Sequence, residues 1–113
     1  MYYVRIYSSE KNKSLLFSFE TEKRAVNYLI QQCQIITNYF AENPEKYKFH
    51  FLKGTDFLKN QSISLNKENN CLETVHLAYR HISEDTISSA ILEFEILSDL
   101  NSDYYTALEL LKL

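Results

Sequence analysis

Two hydrophobic rhythms run along this chain, one of period two and one of period three to four. Leu15, Phe17 and Phe19 alternate with Ser14, Leu16, Ser18 and Glu20, and with the apolar-rich Tyr2 to Ser8 segment they predict two strands. The polar link Ser9-Glu10-Lys11-Asn12-Lys13 is short enough to make them a hairpin. Beyond Thr21 the rhythm changes. Val26, Leu29, Ile30, Cys33, Ile36 and Phe40 recur at i, i+3 and i+4, while Lys23, Asn27, Gln31, Gln34 and Asn38 mark a wet face. These positions predict a helix from about 22 to 42, with Thr21 as N-cap and Glu22 at the positive end of its dipole. Thr37 sits on the apolar stripe, where its hydroxyl is expected to bond back to a carbonyl one turn earlier, and Ile35 falls off the stripe. Asn43-Pro44 ends the helix, since the residue before proline is pushed out of helical geometry.

Period two then returns. Lys46 to Leu52 predicts a third strand, with Tyr47, Phe49 and Phe51 on one face and Lys46, Lys48 and His50 on the other. Gly54-Thr55-Asp56 reads as a turn, and Ser62 to Leu65 as a short strand before the polar run from Asn66 to Asn70. Leu72 to Ile82 is extended by pattern and is expected to pair with Ala90 to Leu97. A helix over 90–97 would scatter Ile91, Leu92 and Ile96 around its cylinder. A strand instead gathers Ala90, Leu92, Phe94 and Ile96 on one face and Glu93 and Glu95 on the other, and is preferred. Asn101 or Ser102 caps a last helix over about 103–112, with Tyr104, Ala107, Leu108 and Leu111 inward. The expected fold is a single α+β domain over 1–113, a twisted, mainly antiparallel sheet with one long helix and one short C-terminal helix.

Composition narrows the chemistry. With one glycine and one proline in 113 residues, the chain cannot write a phosphate loop, a dinucleotide fingerprint or a nucleophile elbow, all of which need several glycines. Cys71, His76 and His81 are spaced by five, which on a strand puts neighbours on opposite faces, so no metal site and no cofactor are expected. His76 and His81 with Glu84 or Asp85 would suit a general base and its orienting carboxylate, but no nucleophile or oxyanion donor accompanies them. Glu93 and Glu95, about 7 Å apart along a strand, would suit a carboxylate pair, and equally a solvated face. No catalytic residues are assigned, and an enzyme is not expected. The start of the chain lacks the pattern of a signal peptide, no apolar run suffices for a membrane helix, and reduced thiols at Cys33 and Cys71 fit the expected cytoplasmic location.

Charge is unevenly placed. Residues 1–83 hold eleven Lys or Arg against eight Asp or Glu, whereas 84–113 hold one lysine against seven acids. Such a bipolar surface steers association with an oppositely charged partner. Nine tyrosines exceed what a core needs, and tyrosine is enriched at interfaces. The sequence therefore points to a non-catalytic protein-binding module, a small inhibitor whose acidic, tyrosine-bearing surface of Glu93, Glu95, Asp99, Asp103, Tyr104 and Tyr105 docks on a basic, nucleic-acid-handling protein. Bacterial immunity proteins and phage-encoded anti-defence proteins share this profile of size, acidity and missing catalytic motifs, a likeness of composition without a shared motif. The alternatives are a nucleic-acid binder using Lys46, Lys48, Lys53 and Lys59, and a homo-oligomeric structural protein joined by a strand edge or the final helix.

Overall fold

The computed structural model describes residues 1–63, 71–82 and 87–98. The chain runs β1 (Tyr2–Ser8), β2 (Lys13–Phe19), α1 (Glu22–Glu42), β3 (Tyr47–Lys53), α2 (Thr55–Asn60), β4 (Cys71–Ile82) and β5 (Ile87–Leu97). The strands form one antiparallel sheet in the order β2-β1-β5-β4-β3. The expected hairpin is present, with Ser8 opposite Lys13 and Asn12 in the left-handed region at φ 50°. Less local is the central pair. The last strand inserts between β1 and β4, so Val4 lies between Phe17 and Ile96, and Ile6 between Leu15 and Phe94.

Helix α1 covers one face of this sheet. Ala25, Val26, Leu29, Cys33 and Phe40 are buried against Val4, Val75, Leu77, Tyr79, Ala90, Phe94 and Ile96. Its N-cap is Thr21, whose hydroxyl accepts from the Arg24 amide at 3.2 Å, satisfying one of the orphan donors of the first turn. Thr37 donates to the Cys33 carbonyl at 2.8 Å, which is how a hydroxyl is accommodated on the apolar stripe. Phe40 stacks on Tyr79 with ring centroids 4.9 Å apart and also meets Tyr47 and Phe49, so the aromatic face of β3 packs under the end of the helix.

Two local readings change. Gly54-Thr55-Asp56 opens the short helix α2 and is not a simple turn. Gly54 adopts φ +95° and α2 then buries Phe57 in the same core, an apolar anchor that a turn signal does not disclose. Ser62 and Ile63 belong to no strand, and the rest of the proposed Ser62 to Leu65 strand lies outside the described residues. The helix expected over 103–112 also lies outside them. The strand over 90–97 is real and begins earlier, at Ile87. No helix among the described residues is long and apolar enough to cross a membrane.

Candidate functional site

Strand alternation gives the sheet a second face, on which neither α1 nor α2 packs. Its centre is built by three strands. β1 contributes Tyr3, Arg5 and Tyr7; β5 contributes Glu93, Glu95 and Leu97; and β4 contributes Thr74 and His76. Register sets Arg5 opposite Glu95, Tyr7 opposite Glu93, Thr74 opposite Glu95 and His76 opposite Glu93. Glu93 and Glu95 thus share a face, as the strand reading requires, but they are not a bare acidic surface. Arg5 Nη1 lies 2.7 Å from Glu95 Oε1 and 3.8 Å from Glu93 Oε2, and the guanidinium carbon sits 5.4 Å from the centre of the Tyr7 ring. His76 Nε2 stands 4.0 Å from Glu93 Oε1. A cation with a planar fork of donors, half-buried between two carboxylates and an aromatic ring, fixes all four groups relative to one another.

Toward β3 the same face turns cationic. Lys48 lies directly opposite Arg80, both exposed, and neither makes an ion pair among the described residues. Lys53, after a bulge beyond Phe51, lies opposite His76, and Lys46 immediately precedes β3, its carbonyl accepting from the Ile82 amide. Lys59 is elsewhere, on α2, which packs against the helix side of the sheet. Of the four lysines of the nucleic-acid reading, Lys59 therefore stands apart from the three at β3, and Arg80, absent from that set, joins Lys48. Of the acidic docking set, Asp99, Asp103, Tyr104 and Tyr105 lie outside the described residues.

At the far end of the helix side, a second polar cluster brings together residues some seventy positions apart. Glu10, on the hairpin turn, accepts from the Tyr79 hydroxyl at 2.5 Å and lies 3.2 Å from His81 Nε2. The turn is held over the sheet by Ser9, whose amide donates to the Ile91 carbonyl and whose hydroxyl accepts from the Ile91 amide. To reach β4 from β1, Glu10 must cross β5, and the residue opposite Tyr79 there is Ala90, small enough to let it pass. The hydrogen bonds from Tyr79 and then His81 hold the Glu10 carboxyl below its ordinary range. Burial, and then the Glu10 hydrogen bond, push the Tyr79 phenol up. Tyr47 packs on His81 at 4.8 Å between ring centroids, and its hydroxyl lies 3.4 Å from that of Tyr39. This cluster closes on itself. Its carboxylate is consumed by two donors and its rings touch one another, which is the geometry of a clamp on the hairpin tip.

Cys33, Cys71, His76 and His81 are divided between the two sides of the sheet. Cys71 Sγ is 3.3 Å from Thr74 Oγ1 and 3.9 Å from Glu95 Oε2. The β5 partners of Cys71 and His76, Leu97 and Glu93, are four positions apart, about 13 Å at strand rise, so these two do not form a thiol–imidazole pair. Cys33 is buried on the helix side, where desolvation pushes its thiol up to about 12, while Cys71 is on the other face, and both are free. Among the described residues, no three His, Cys, Asp or Glu side chains gather as a metal site. His81 is engaged by Glu10; Glu84 and Asp85, its expected partners, lie outside the described residues. Arg5 and Glu10 were missed by sequence reasoning because both act across strands that are neighbours only in the folded sheet. No protein-family model matches this chain, nor does any curated protein or solved structure.

Proposed function

We propose that this chain is a non-catalytic protein-binding module, in its most specific form a small cytoplasmic inhibitor that docks its second sheet face on a nucleic-acid-handling protein. The observation that carries this reading is the Tyr3-Arg5-Tyr7 row flanked by Glu93 and Glu95. It places two half-exposed tyrosines and an arginine, residue types enriched at binding hot spots, on a rigid sheet with their polar groups already oriented. Preorganisation of this kind lowers the entropy lost on docking. Because Arg5 offsets only one of the two glutamates, the acidity that selects a basic partner is proposed to draw on Asp99 and Asp103 as well. Leu97 points to this face, opposite Tyr3 and Cys71, yet is only 2% exposed. Asp99, Asp103, Tyr104 and Tyr105 follow Leu97 in the sequence and stay in the proposed contact set.

The test is an affinity capture from nuclease-treated lysate of the source cell, using the wild type, a Tyr3→Ala/Tyr7→Ala variant and a helix-side control, Gln31→Ala. Folding of each bait is checked by circular dichroism. One basic protein retained in stoichiometric amount by the wild type and control, and lost from the double variant, is the expected result. Equal capture by all three baits removes the face from the contact.

A second reading, nucleic-acid binding, is favoured by one observation, the opposition of Lys48 and Arg80. Like charges directly across an antiparallel pair repel, so an anion between them would relieve the cost. That reading expects retention on a heparin column at low salt, falling steeply with added salt and lost in Lys48→Glu/Arg80→Glu. Flow-through at low salt would end it.

A further inference from the structure

The sheet has two outer strands, and they are built differently. β3 carries the exposed Lys48 and Lys53 and breaks its register with a bulge between Phe51 and Lys53. Charge and bulges are the usual means by which an edge is kept from pairing with another chain. β2 has neither. Its seven residues pair with β1 without a register shift, and from Ser14 to Phe19 there is no charged residue and no proline. Among the described residues, no strand pairs with the outer side of β2. On the helix side, Tyr28 covers Phe17 and Phe19 at 5.1 and 5.0 Å between ring centroids, but Leu15 stays 59% exposed. A regular edge, uncharged from Ser14 to Phe19 and carrying an uncovered leucine, is a site for strand addition.

We propose that the occupant of this edge is a second copy of the chain, so that two molecules join through β2 into a continuous ten-stranded sheet. Two observations favour a copy over a foreign strand. First, the segment is self-complementary: antiparallel pairing about a two-fold axis at Leu16 sets Leu16 opposite Leu16, Leu15 opposite Phe17 and Ser14 opposite Ser18. Directly paired residues share a face, so both α1 helices fall on one side and Leu15 gains the phenylalanine it lacks as cover. Second, the charges fall at the ends of the paired region, where Lys13 lies within one residue of Glu20 of the second copy. The contact uses the edge of the sheet and does not rest on the docking face.

Size-exclusion chromatography with light scattering tests this across a dilution series of the full chain, beside Leu15→Lys and a β3 control, Leu52→Lys. Both leucines are more than half exposed, so neither change should disturb the folded subunit, and circular dichroism checks that. The expected result is a mass of twice 13.4 kDa for the wild type and for Leu52→Lys, and a single-chain mass for Leu15→Lys at the same concentration. As a second readout, hydrogen exchange of the β2 amides should slow with concentration in the wild type and Leu52→Lys but not in Leu15→Lys. A single-chain mass for the wild type up to roughly millimolar concentration, where a contact this small should be populated if it exists, overturns the proposal. A dimer unaffected by Leu15→Lys overturns it equally.

Discussion

Gly54 is the residue at which the backbone leaves least choice. At φ +95° it occupies a region that side chains rarely adopt, and a Cβ there would stand 2.6 Å from the Thr74 carbonyl oxygen and 2.7 Å from a Val75 methyl. Backbone strain and overpacking each cost about 1–3 kcal/mol, so Gly54→Ala is expected to lower the unfolding free energy by about 2–6 kcal/mol, read from the midpoint of urea denaturation. Glu10 offers a pH test. Its carboxyl is held below the ordinary 4.5 by the Tyr79 and His81 hydrogen bonds. A depressed folded value means that the contribution is present above the unfolded carboxylate range and disappears as pH falls through the folded value. The stability difference between wild type and Glu10→Gln should therefore be constant from pH 6 to 7 and shrink as pH drops below about 4.5. A difference independent of pH would mean that the ionised carboxylate is not what clamps the hairpin.

At the scale of elements, α1 shows how a hydrophobic rhythm becomes packing. Leu29 is fully buried and Ile35, six residues on, is 55% exposed. Truncating the first leaves a cavity between helix and sheet, so Leu29→Ala should cost about 2–5 kcal/mol, whereas Ile35→Ala should cost under about 0.5 kcal/mol. Comparable losses at both sites would contradict the way the helix is seated. The stripe, the N-cap at Thr21 and the back-bond of Thr37 were all legible in the sequence because each depends on residues within one or two turns. The faces of β3 and β5 were legible for the same reason, since alternation is local. Helix α2 was not. Six residues carry too little periodicity to register, and Phe57 declares itself only through the core it enters.

The order of strands belongs to the whole molecule and leaves no local trace. Nothing near β1 announces that β5 will lie beside it, yet that insertion places Arg5 between Glu93 and Glu95 and lets Glu10 reach Tyr79. The sequence therefore disclosed two of the candidate site's acids and their common face, and hid the arginine that engages them. Net charge summed along the chain suggested an acidic surface. Among the described residues the face is divided, with an arginine–glutamate centre bordered by a cationic strip at Lys48 and Arg80. A partner suited to it must match both halves, and potential complementarity then contributes to the encounter rate and the register of docking. The direct measurement is a nuclear magnetic resonance titration of the labelled chain with the protein captured by affinity. The account predicts that backbone shifts concentrate on Tyr3, Arg5, Tyr7, Glu93 and Glu95 and leave Asn27, Gln31 and Gln34 of α1 unmoved. Shifts confined to α1, with the tyrosine row unchanged, would contradict it.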